Sequence, residues 1–88
     1  MKRTKQSDPS KESLAFSRIL KSLRLKNNMT QEDLASEGNL DRTYISMLER
    51  SINQPTLTSL FELSRALNLK ASDMVRLVEI ELDSPKQQ

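Results

Sequence analysis

Residues 29–50, MTQEDLASEGNLDRTYISMLER, leave this chain little freedom, because they encode two short helices joined by a corner too brief to hold them apart. Thr30 stands where a hydroxyl can accept a backbone N–H of a starting helix, and Asp33 follows three residues later. Glu32 and Asp33 place negative charge where the helix dipole favours it. Leu34 and Ala35 form the inward face, and Ala35 is small enough for a second helix to cross closely. Gly38-Asn39 supplies the corner: glycine reaches positive φ at little steric cost, and asparagine is among the few other residues that tolerate it. Asp41 is the expected N-cap of the second helix, where Leu40, Ile45 and Leu48 have the spacing of one buried stripe. The opposite face carries Arg42, Thr43, Ser46 and, one turn on, Arg50. A long fork donor, two small hydroxyls and a second cation suit base edges and phosphates, although the same residues also make an ordinary solvated face.

The rest of the chain is short of alternatives. Eighty-eight residues make one domain, and 35% hydrophobic content with one Tyr, two Phe and no Trp means a small core of Leu, Ile, Val, Met and Ala. Few β-branched or aromatic runs, one Gly and three Pro point to an all-α chain. With neither Cys nor His, a disulfide framework, a Cys/His zinc site and Ser-His or Cys-His catalysis are excluded. Glu32, Asp33 and Glu37 read as helix surface, so no enzyme, cofactor or metal site is expected. No apolar run reaches membrane-spanning length, and the polar start lacks the apolar segment of a signal peptide, so a cytoplasmic location is expected. Net charge is only +2, but residues 1–54 hold ten basic and seven acidic groups against four and five in residues 55–88. Binding to a polyanion would therefore use a few placed cations.

In chain order, residues 1–8 with Lys2, Arg3 and Lys5 read as a disordered basic tail, either solvated or laid along a nucleic acid as an arm. Residues 9–82 form the domain, opened by Asp8 as cap and Pro9 at the first helical position. Phe16, Ile19, Leu20 and Leu23 mark an amphipathic helix over 10–27 that Leu14 can extend. A polar turn, SINQPT, follows Arg50. A fourth helix over 57–67 turns Leu57, Leu60, Leu63, Ala66 and Leu67 inward with Phe61 off centre. A fifth over 71–82 has a wide apolar face of Met74, Val75, Leu77, Val78 and Leu82. Leu77 and Ile80 are surplus to a small core and point to a dimer interface, unless the last helix buries both faces on its own monomer. Residues 83–88 read as a frayed tail.

Thr30-Gln31, Leu34-Ala35, Leu40, Ile45 and Leu48-Glu49 fall in order on the motif of the phage-repressor and Cro-like, or Xre, family of helix-turn-helix regulators, which the chain resembles from Ile19 to Val78. The run LDRTYIS, residues 40–46, is also similar to restriction-modification controller proteins. The family usually has Gly at the turn position, where this chain has Asn39 as an αL substitute. The resemblance implies a five-helix, lambda-repressor-like domain and a salt bridge from Arg24 to Glu49 that clamps the first helix to the third. It also brings Asn53, Thr56 and Gln31 near the sugar-phosphate backbone, with capping an equal alternative for Thr56.

The expected function is that of a sequence-specific DNA-binding regulator whose third helix, residues 42–50, reads the major groove of double-stranded DNA as a homodimer on a pseudo-palindrome. Arg42, Thr43 and Ser46 would contact bases, while Gln31, Tyr44, Arg50, Asn53 and Thr56 would contact the backbone. The rival is an antitoxin-like interaction module, although the chain lacks a long segment for wrapping a partner.

Overall fold

The computed structural model describes residues 8–84, and both terminal segments singled out above lie mainly or wholly outside the described residues. Among the described residues five helices make the fold: α1 Lys11–Lys26, α2 Gln31–Gly38, α3 Arg42–Glu49, α4 Leu57–Ala66 and α5 Ala71–Leu82. The first starts later than Asp8-Pro9 suggested. Ser10 is its N-cap, and the Ser10 hydroxyl accepts the Ser13 N–H at 3.0 Å. At α2 the Asp33 N–H donates to the Thr30 Oγ1 at 3.0 Å, while the Thr30 N–H donates to Asp33 Oδ2 at 2.9 Å. That reciprocal pair satisfies two amides no helix bond can reach. Asp41 occupies the N-cap position of α3, but its side chain accepts no capping hydrogen bond. Its charge still sits at the favourable end of the helix dipole.

One device ends the first four helices. Asn28, Asn39, Ser51 and Asn68 all have left-handed backbone, with φ of 58°, 60°, 62° and 63°. The next residue in each case sends its N–H five residues back: Met29 to Arg24, Leu40 to Ala35, Ile52 to Met47 and Leu69 to Ser64, at 2.8–3.1 Å. This is the Schellman closure, with an apolar residue following the αL position each time. Gly38, expected to share the corner, stays helical and is buried, and the reversal belongs to Asn39 alone.

The core joins Phe16 and Leu20 of α1, Leu34 and Ala35 of α2, Ile45 and Leu48 of α3, Leu63 and Ala66 of α4 with Leu67 beyond it, and Met74 of α5. Packing α1 on α3 and α5, and α2 on α3 and α4, buries the rear of α3 from two directions. Some expected core residues stay outside it. Leu57, the first residue of α4, is 72% exposed, and Val75 is 43% exposed. Ile19 is half-buried, whereas Ala15, which the spacing did not mark, has no exposure at all. Among the described residues no helix is long and apolar enough to cross a membrane.

Candidate nucleic-acid interface

Ile45 and Leu48 are fully buried, so α3 is held by its back and its other side is free to face a ligand. Arg42 and Thr43 on that side are exposed, and Ser46 is half-buried. Arg50, the C-cap of α3, is exposed on the same side. The structure thus gathers the four residues that the sequence nominated for base and phosphate contact onto one open surface.

Behind them lies a polar network rooted in the domain. Arg24 grips Glu49 twice, from Nε to Oε2 at 2.6 Å and from Nη2 to Oε1 at 3.0 Å, and its third donor, Nη1, meets the Met29 carbonyl at 2.8 Å. The two side chains are 9% and 4% exposed. Its hydrogen bond to Glu49 raises the Arg24 pKa above the ordinary arginine value; burial opposes this and the neighbouring negative charge adds to it. Planar, two-point pairing of this kind fixes an angle as well as a distance. It ties the end of α3 to α1 and to the start of α2.

Gln31 extends the network to the surface. Its Nε2 donates to Glu49 Oε1 at 3.0 Å, and its Oε1 accepts from Arg42 Nη1 at 3.3 Å. A carboxylate can only accept, so the amide must turn its NH2 inward and its oxygen toward Arg42. A single amide therefore links the buried clamp to the exposed fork.

The other nominated residues sit apart from that surface or have duties of their own. Tyr44 is half-buried; its hydroxyl lies 2.8 Å from the Ser59 hydroxyl and accepts the Thr56 N–H at 3.4 Å, so it braces the start of α4. Thr56 caps α4, its hydroxyl accepting the Ser59 N–H at 3.0 Å. Asn53 is half-buried in the loop after α3, with Nδ2 3.9 Å from the Met47 sulfur. On α5, Ile80 is 58% exposed and Leu77 half-buried. Two contributions escaped the sequence reading. The Ser51 hydroxyl donates to that of Ser17 at 2.9 Å and pins the loop after α3 to α1, a long-range contact with no local signal. Met47 also lies at the edge of the open face, where a helical projection of α3 places it.

Comparison with known proteins agrees with this geometry. The family described as HTH_3, helix-turn-helix, matches residues 20–74. The control protein C.BamHI of Bacillus amyloliquefaciens is 38% identical over 68 residues, spanning 76% of this chain and 84% of the relative. The crystal structure of the wild-type restriction-modification controller protein C.Esp1396I aligns with a TM-score of 0.79 at 36% identity, over 85% of this chain and 96% of that one. A crystal structure of that controller protein as a tetramer in complex with its natural 35 base-pair operator aligns with the same TM-score and identity, over 85% and 99% of the two chains. The chain belongs to the HTH_3 helix-turn-helix family and, within it, is similar to the restriction-modification control proteins.

Proposed function

We propose that this protein is a sequence-specific DNA-binding transcriptional regulator, working in the cytoplasm, that docks the start of α3 in the major groove. The observation that carries this reading is the open face of α3, with Arg42, Thr43 and Ser46 outward and Ile45 and Leu48 buried behind them. The operator-bound crystal structure of a relative aligned over 85% of this chain supports it. The family is made of DNA-binding regulators, not enzymes.

Arg42 can reach guanine O6 and N7 with two parallel donors, and Thr43 and Ser46 can bond base edges. Arg50, the second N–H of the Gln31 amide and the amide of Asn53 set register against phosphates, with Tyr44 and Thr56 at the α4 start facing the same backbone. Exposed Ile80 with half-buried Leu77, about 60° apart around α5, offers a self-complementary face for a homodimer. A two-fold dimer requires a pseudo-palindromic operator with half-sites about 10 base pairs apart or a multiple of that.

Selection from random duplexes followed by sequencing tests the proposal. A pseudo-palindromic motif is expected, and Arg42→Ala should relax one base position per half-site and weaken binding by about 1–3 kcal/mol. Recovery of no motif would reject sequence-specific reading.

A further inference from the structure

Met47 is an apolar residue on a polar face. Successive residues of an α-helix turn by about 100°, so with Ile45 and Leu48 marking the rear of α3, Thr43 and Arg50 lie opposite, and Ser46 and Met47 flank them at about 50° on either side. Met47 is therefore as well aimed as Ser46. The core takes Tyr44, Ile45 and Leu48 from α3 but not Met47. The loop that follows α3 closes back on it. The Ile52 and Asn53 N–H groups both donate to the Met47 carbonyl, at 2.9 and 3.4 Å, and the Asn53 amide rests 3.9 Å from its sulfur. The thioether is thus fixed at the open side of the helix instead of being folded into the domain.

A polarizable thioether in that position offers no donor to a base edge. The apolar feature that a major groove presents is the C5-methyl of thymine. We infer that Met47 is a specificity-determining residue that packs on a thymine methyl in the half-site read by Arg42, Thr43 and Ser46, with Asn53 holding the sulfur in place. The inference rests on the docking proposed above and adds a base position to it.

The test uses the full chain and the duplex recovered by selection, with thymine replaced by uracil at each position in turn, which deletes the methyl and nothing else. The wild type should lose about fourfold in affinity at one thymine per half-site, the loss expected for one buried methyl. Met47→Ala and the similarly sized Met47→Gln should bind the thymine and uracil duplexes equally while keeping the rest of the motif. Two variants guard against a folding defect in either. Retained thymine-over-uracil discrimination in a folded variant, or no such position for the wild type, would overturn the inference while leaving the docking intact. Failure of the wild type to select any motif would remove the docking and the inference with it.

Discussion

Replacing Arg24 by Ala should remove a large part of this domain's stability. The substitution deletes three hydrogen bonds of 2.6–3.0 Å and leaves the Glu49 carboxylate, 4% exposed, with the Gln31 amide as its remaining side-chain donor. Stranding one member of a buried pair costs about 3 kcal/mol. A domain this small has a total stability of about 4–13 kcal/mol. With a urea dependence of about 1 kcal/mol per molar, the midpoint should fall by about 3 M. Urea titration by circular dichroism, at a fixed protein concentration because a dimer links stability to mass action, measures it. Removing both charges as Arg24→Met with Glu49→Leu should recover most of the loss, since an apolar pair of similar volume strands no charge. An Arg24→Ala protein within about 0.5 kcal/mol of wild type would refute the burial argument.

Three further outcomes follow from the same geometry. Gln31→Met cuts the link between Glu49 and Arg42, so selection should return a broader preference at the base read by Arg42; uniformly weaker binding of all sequences would reduce Gln31 to a phosphate contact. Hydrogen bonds with Thr30, first from its backbone N–H and then involving its side chain, lower the Asp33 pKa from its ordinary 3.8. A lowered pKa stabilises fully above the unfolded value and is lost as pH falls through and below it. The wild type's stability advantage over Asp33→Asn should therefore be constant near neutrality and shrink below about pH 4, while an unchanged gap would contradict the capping box. Ile80→Glu should yield monomers by sedimentation at concentrations where the wild type is dimeric, with the helical content kept; an undisturbed dimer would place the interface elsewhere.

The capping box of α2, the stripe of Ile45 and Leu48 and the outward Arg42, Thr43 and Ser46 were all legible in the chain, because each depends on neighbours within one or two helical turns. Helix ends were harder to read. Asn39 was legible as an αL stand-in for glycine, but Asn28, Ser51 and Asn68 do the same work at the other helix ends with no spacing rule that separates them from surface residues. Periodicity also overstated the core: Leu57 is on the stripe by spacing but is the first residue of α4 and stays 72% exposed.

Local sequence by itself determined five helices, their approximate spans and the chemistry of the exposed side of α3, since hydrogen-bonded turns and amphipathic spacing are settled over a few residues. Only the tertiary structure decided that Gln31 bridges Glu49 to Arg42, that Tyr44 turns to the start of α4, and that Asn53 lies against Met47. Each of those contacts joins a helix to another helix or to a loop, and where two side chains meet depends on crossing angles and close packing that no single stretch of chain encodes.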